Sequence, residues 1–337
     1  MEVSQWNVEL RADAPARRSY RRRALSNLLR MGHCAPSVAR TLAEMARVPA
    51  AEGEWLVRLA AGLPGGIGNT GGECGGVTAP LLALGLRSGG RTERGLPVVI
   101  EQGHGHCQRF ERCHGSLLCA DILGERRLPI PCLGVVRRAP ELLADTVAAN
   151  GEANIPPEAR TAYQLLSAHL AEVRLHCAHA VLGELEGWFP VTPELLDATE
   201  GFVGGMLLKG LTCSALAAGV MALGLAAGEI EGSRPRVARM VATMALGGNA
   251  LADRLNAFNP SVNQGRRLAR WFALEFGSTQ CRAITRCDFT RAAEVERFIQ
   301  ARQAAQCARI AWRVAERAGA MLRRSLAHPP QGPRRPS

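Results

Sequence analysis

The chain has 337 residues, an apolar share of 47% and a net charge of +11 from 41 Lys and Arg against 30 Asp and Glu. That length and apolar content suffice for two domains of ordinary size, each able to bury a core. The positive charge does not imply nucleic acid, because Lys209 is the only lysine, aromatic residues make up just 4%, and no nucleic-acid motif is present.

Abundant Ala, Leu, Arg and Glu, few β-branched runs and a 3.6-residue apolar period predict an all-α chain. The N-terminal segment, residues 1–21, leads into the basic run Arg17, Arg18, Ser19, Tyr20, Arg21, Arg22, Arg23. The apolar stretch that follows is short and interrupted by Arg30, so the run reads as the solvated start of a helix over 24–45 and not as an export signal. With no such signal and an odd count of 11 cysteines, a reducing cytoplasm is expected. Next come His33 and Cys34, then a glycine-rich turn over 62–73, then Cys74 opening an apolar helix. The stretch GHGHCQRFERCHGSLLC crowds His104, His106, Cys107, Cys113 and His114 ahead of Cys119, a density that suggests a metal site. It contains neither a Cys-x-x-Cys-His haem attachment nor a paired Cys-x-x-Cys finger. Cys132 follows, and Asn, Gly and a proline pair at 148–157 mark a linker.

Beyond the linker the spacing predicts a long helix through Cys177, a short one from Pro193, a second glycine turn and a helix opened by Cys213. A helical insertion over 236–256, helices from Arg266 and over 291–326, and a disordered Pro/Arg tail at 327–337 complete the chain. The apolar stretch 202–227 contains Lys209 and several glycines, so it reads as a buried helix and no membrane span is expected.

The second half repeats the first. Residues 62–86 and 201–225 align without a gap, with identities at Gly62/Gly201, Gly65/Gly204, Gly66/Gly205, Gly71/Gly210, Cys74/Cys213, Ala79/Ala218 and the shared Ala-Leu-Gly-Leu ending. His33-Cys34-Ala35 matches His176-Cys177-Ala178, Gly115-Ser116-x-x-Cys119 matches Gly277-Ser278-x-x-Cys281, and Cys132-x-x-Val135 matches Cys307-x-x-Ile310. Each half therefore carries an ordered quartet: Cys34, Cys74, Cys119, Cys132 and Cys177, Cys213, Cys281, Cys307. The expected architecture is two homologous helical bundles, 22–147 and 158–326, packed about a pseudo-twofold axis as a fused dimer would be. Cys74 and Cys213 fall at helix starts, where the dipole lowers a thiol pKa; Thr212 caps Cys213, whereas Glu73 opposes ionisation of Cys74.

These quartets, with Cys74-Gly75 and Gly277-Ser278-Thr279-Gln280-Cys281 among their surroundings, resemble the C-GCAxxG-C-C family of small four-cysteine redox domains. Both copies depart from its core: Gly76 replaces the alanine, Ser214 replaces a glycine, and Ala79 and Ala218 stand at its last glycine. The resemblance implies redox activity, possible oxidoreductase chemistry and a redox partner protein, and a homo-oligomer is compatible with it. From the residues themselves three functions stay open. They are thiol–disulfide or electron transfer through each quartet, ligation of an iron–sulfur cluster or Zn by the same thiolates, and a helical scaffold with buried structural cysteines.

Overall fold

The computed structural model describes residues 10, 13–89, 95–125, 130–149, 153–232, 234–246 and 259–327. The expectations for residues 1–9, for the middle of the linker at 150–152, for the end of the insertion at 247–256 and for the tail at 328–337 lie outside the described residues.

Among the described residues the regular elements are helices. The first half runs α1 (Ala14–Met31), α2 (Cys34–Met45), α3 (Ala50–Leu59), α4 (Gly75–Ser88), α5 (Gly95–His114), α6 (Cys119–Leu123) and α7 (Ile130–Ala148). The second runs α8 (Pro157–Glu172), α9 (Cys177–Glu184), α10 (Pro193–Thr199), a 3₁₀ turn (Glu200–Phe202) and α11 (Ser214–Ala227). It continues through α12 (Arg234–Ala245), α13 (Pro260–Phe276), α14 (Cys281–Thr285), α15 (Ala292–Gln300) and α16 (Ala304–Ala327). In order, α1–α7 correspond to α8, α9, α10, α11, α13, α14 and α16; α12 and α15 are additions.

Three stretches expected as single helices are each split in two. Gly32 (φ 76°), Arg174 (φ 50°) and Arg302 (φ 51°) take the left-handed conformation, which an α-helix cannot propagate, and they break 24–45, the helix through Cys177, and 291–326. Each break lies just ahead of a quartet cysteine.

The segments 62–73 and 201–212 wind in matching ways that go beyond a flexible loop. Residues 65–69 and 204–208 are consecutive left-handed residues, and Gly68 N–H→Gly62 O (2.9 Å) has its counterpart in Leu207 N–H→Gly201 O (2.9 Å). A left-handed residue with a side chain costs about 1–2 kcal/mol. Met206, Leu207 and Leu208 bear that cost while fully buried, and burying a leucine or methionine returns about 1.5–3 kcal/mol.

The central helices are α4 and α11. Every residue from Gly75 to Leu86 and from Ser214 to Gly224 is buried, which is why these segments are apolar all round. No helix among the described residues is long and apolar enough to cross a membrane. The halves meet through α4 against α10 and α11 against α3, and the contacts obey a local twofold. Gly85 abuts the Asp197 carbonyl while its repeat mate Gly224 abuts the Arg58 carbonyl; Gly62 faces Val220 while Gly201 faces Leu81. On the axis, repeat mates 139 residues apart meet directly: the Thr212 N–H donates to Glu73 Oε1 at 2.9 Å. One apolar core consequently runs through both halves, from Leu10 to Leu322.

Methyl groups at the seam should be costly. A Cβ on Gly85 would lie 2.1 Å from the Asp197 oxygen and one on Gly224 2.5 Å from the Arg58 oxygen, whereas one on Gly134 in α7 meets nothing within 4 Å. Gly85→Ala and Gly224→Ala are expected to lose about 1–3 kcal/mol in denaturant unfolding, and Gly134→Ala to gain about 0.5–1 kcal/mol. Equal, small effects at all three positions would contradict the close seam.

Candidate functional site

Each quartet cysteine occupies the first turn of a helix or its N-cap. Cys34, Cys119, Cys177 and Cys281 are first residues of α2, α6, α9 and α14; Cys74 and Cys213 are N-caps of α4 and α11; Cys132 and Cys307 lie in the first turns of α7 and α16. The sequence placed two cysteines at helix starts, one residue further in than the structure does. In these turns backbone N–H groups have no helical partner and point outward, toward whatever lies at the helix start.

The second and third cysteines are fastened side by side by a one-bridge ladder. Glu73 pairs antiparallel with Leu118 and Thr212 with Gln280. The Cys74 N–H donates to Leu117 O (2.8 Å) and the Cys119 N–H to Gly72 O (2.7 Å); the Cys213 N–H donates to Thr279 O (2.8 Å) and the Cys281 N–H to Leu211 O (2.6 Å). The repeated Gly-Ser-x-x-Cys now has a physical meaning. Gly115 and Gly277 turn left-handed and end a helix, and Ser116 and Ser278 accept the N–H of Leu118 (3.0 Å) and Gln280 (3.1 Å). The cysteine then opens the next helix.

Cys177, Cys213, Cys281 and Cys307 line one apolar cavity of about 30 Å³ together with Leu166, Val203, Phe289 and Phe298. In the first half a Cβ on Gly75 would lie only 2.7 Å from Cys34 Sγ, so the glycine after Cys74 makes room for another quartet sulfur. Within each half the thiols feel one another's charge: Cys74 senses Cys34, Cys119 and Cys132, and Cys281 senses Cys213 and Cys307.

Burial dominates their ionisation. Desolvation pushes Cys213 up to about 11 and Cys132 up to about 12, and raises Cys34, Cys74, Cys119 and Cys281 as well. The expected low pKa of Cys213 is therefore corrected. Backbone N–H groups of Ala215 and Leu216 do draw it downward, as a helix start should, but losing water outweighs them. Cys74 is raised further than Cys213, in the expected order but for a different reason, since burial and the neighbouring thiols cause it. The Glu73 carboxylate turns across the axis to Thr212 instead. Only Cys307 in the quartets moves down, drawn by its interaction with the Cys177 thiol, which the same interaction and burial raise well above normal; both are half-buried. This pair, invisible in the repeat alignment, brings two quartet thiols into direct interaction.

The five residues expected as a metal cluster do not share a ligand sphere. They project from α5 in different directions. His104 is hydrogen-bonded to Leu207 O (2.9 Å) and His106 to Gly76 O (3.1 Å), and burial lowers both to about 4, so they are neutral braces. Cys107 is buried with its pKa pushed up to about 12, Cys113 is exposed beside Arg138, and His114 lies tilted against Phe110 with ring centroids 4.6 Å apart. Nor do the quartets suit a single Zn. A tetrahedral thiolate site with 2.3 Å bonds sets its sulfurs about 3.8 Å apart. Among the described residues no three quartet sulfurs lie within 4.8 Å of one another.

These pKa values fix a pH dependence. A buried thiol raised above the ordinary 9.0 keeps its proton in the folded state while the unfolded chain loses it, so stability is intact below pH 9 and falls as pH climbs toward 11 to 12. Denaturant midpoints should drop between pH 9 and pH 11. Over the same range Cys307 should alkylate at the lowest pH of its quartet, with Cys213 lagging; uniform reactivity of the four would contradict the pairing.

Comparison with known proteins agrees with the duplicated layout. Residues 32–146 and 175–321 each match the family model described as "Putative redox-active protein (C_GCAxxG_C_C)". No curated protein and no solved structure matches the chain. The two matched stretches cover most of the chain and each encloses one complete quartet, so the chain belongs to the C_GCAxxG_C_C family, in two tandem copies.

Proposed function

We propose that the second half works as a dithiol–disulfide couple in which Cys307 is the attacking thiolate and Cys177 the resolving thiol. The Cys177–Cys307 interaction carries this reading, since the two half-buried thiols interact directly, with Cys307 drawn down and Cys177 raised. The polar groove lined by Glu275, Arg286, Gln303 and Gln306 shares Ile284 and Thr285 with the wall of the thiol cavity, which gives a partner an approach to this end of the quartet.

The exchange balances without a cofactor. The Cys307 thiolate attacks one sulfur of a disulfide presented by a partner, forming a mixed disulfide and expelling the partner's other sulfur as a thiolate. That thiolate takes the Cys177 proton. Cys177 then attacks the Cys307 sulfur, forming Cys177–Cys307 and releasing the second partner sulfur, so that two electrons leave the chain for the partner's disulfide. The reverse sequence oxidises a dithiol. Cys213 and Cys281 line the cavity behind the pair as buried, protonated thiols.

The first quartet supports a second reading, ligation of an iron–sulfur cluster. Its four thiols are coupled by charge, and the Cys34 sulfur is approached by the N–H groups of Gly65, Ala35 and Gly75, the kind of hydrogen bonding that tunes cluster thiolates. Four thiolates suit such a cluster in kind, and a cluster, unlike a lone ion, accepts sulfurs set well apart. Visible absorption in anaerobically purified chain, lost in Cys34→Ser, is its expected signature; a colourless, iron-free protein would remove it.

Glutathione disulfide tests the first reading. Reduced chain should form Cys177–Cys307 and release glutathione, Cys177→Ser should stop at a Cys307–glutathione adduct, and Cys307→Ser should form neither, all read by peptide mass mapping. A Cys213–Cys281 disulfide in its place, or an adduct on Cys177 in Cys307→Ser at the wild-type rate, would overturn the assignment.

A further inference from the structure

Next to the thiol pair lies a cluster that the redox reading does not use. His176, His179 and Glu200 place one nitrogen or oxygen each within 4.8 Å of the others, and among the described residues no other three His, Cys, Asp or Glu side chains do so. His176 Nε2 is 3.7 Å from Glu200 Oε2 and His179 Nε2 is 3.7 Å from Glu200 Oε1. The imidazoles stack with centroids 3.8 Å apart and planes 25° from parallel, and the carboxylate is only 6% exposed. The geometry points to a binding site for a divalent transition-metal ion of borderline softness, of the Zn²⁺ or Fe²⁺ class, held by two imidazole nitrogens and one carboxylate.

Spacing supports the assignment. An ion about 2.0–2.1 Å from each donor in tetrahedral geometry holds its ligand atoms about 3.4 Å apart, close to the 3.7 Å separations here. His176 Nε2 is buried without a hydrogen-bond partner. The ring's other nitrogen, Nδ1, accepts a long 3.4 Å cap contact from the His179 N–H, which would be given up as Nδ1 takes the proton when Nε2 binds an ion. His179 Nε2 now reaches Leu196 O at 3.0 Å, and ion binding would exchange that contact for the metal. Two neutral imidazoles with a carboxylate match the donor set of open, borderline-metal sites.

The repeat supplies an internal control. At the positions of His179 and Glu200 the first half has Pro36 and Ala61, and only His33 is kept where His176 stands. The fold therefore forms without these polar groups. A buried carboxylate is costly unless it is paired or bound to a metal, and the second half has placed one against two stacked imidazoles, beside the start of α9 and one residue from Cys177.

Cobalt separates this site from the thiols. Reduced, metal-free whole chain titrated with Co²⁺ should take up one equivalent that shows d–d bands of a nitrogen and oxygen ligand set without sulfur-to-cobalt charge transfer, and the melting temperature should rise. Glu200→Gln and His179→Gln, each first shown to melt like wild type without metal, should weaken that binding by about tenfold or more, while Cys177→Ser leaves it unchanged. Cobalt uptake seen only with sulfur charge-transfer bands, unchanged affinity in both variants, or no saturable binding would overturn the site. None of these outcomes bears on the disulfide chemistry of Cys177 and Cys307.

Discussion

The structure depends on left-handed turns that restart a helix at a cysteine. Gly32, Gly71, Gly115, Arg174, Gly210, Gly277 and Arg302 all have positive φ, and each lies a few residues before Cys34, Cys74, Cys119, Cys177, Cys213, Cys281 or Cys307. A continuous helix would scatter thiols along its faces. Breaking it instead sends the first turns of several helices, with their outward N–H groups, toward one place in each half. The dipoles favour negative charge there, yet burial opposes it more strongly. Burial therefore raises the pKa of most quartet thiols, and only in the Cys177–Cys307 pair is one of them drawn down.

The duplication explains how so many glycines are retained. The seam between halves brings helix α4 onto α10 and α11 onto α3 so closely that backbone oxygens occupy the space of side chains, and this holds for both members of each repeat pair. The left-handed turns of the two copies differ in side chain while keeping the same backbone path. Gly68 packs against Gly265 where Leu207 packs against Gly103, so what one copy fills with leucine the other fills with chain. Glu73 and Thr212 show the same divergence at the axis, as a buried carboxylate in one copy accepts a backbone N–H from the other.

Much of this was legible from residue patterns. Helical period, the ordered quartets and the glycine repeat predict an all-α, duplicated chain, because a recurring cysteine with recurring neighbours marks a recurring backbone position. The helix breaks at Arg174 and Arg302 were not legible, since arginine carries no signal for positive φ; in the structure the exposed arginines take it as the Leu175 N–H closes onto Leu170 O and the Gln303 N–H onto Phe298 O. Pairing of Cys177 with Cys307 was hidden because the whole second half separates them, and their first-half equivalents, Cys34 and Cys132, interact through charge. The crowded histidines and cysteines of α5 misled for a related reason: neighbours in sequence on a helix point apart, whereas His176, His179 and Glu200, spread over two elements, converge.

In the proposed function Cys177 and Cys307 form a two-electron couple, in contrast to the one-electron chemistry of a metal cluster. The most direct test is an equilibrium redox titration of the whole chain against defined thiol–disulfide buffers, with the fraction of the Cys177–Cys307 bond read by mass spectrometry. The account predicts a single Nernst transition with a slope of about 30 mV per tenfold change in ratio. A transition of about 59 mV per tenfold, the one-electron value, or one in which Cys177 and Cys307 remain thiols throughout, would contradict it.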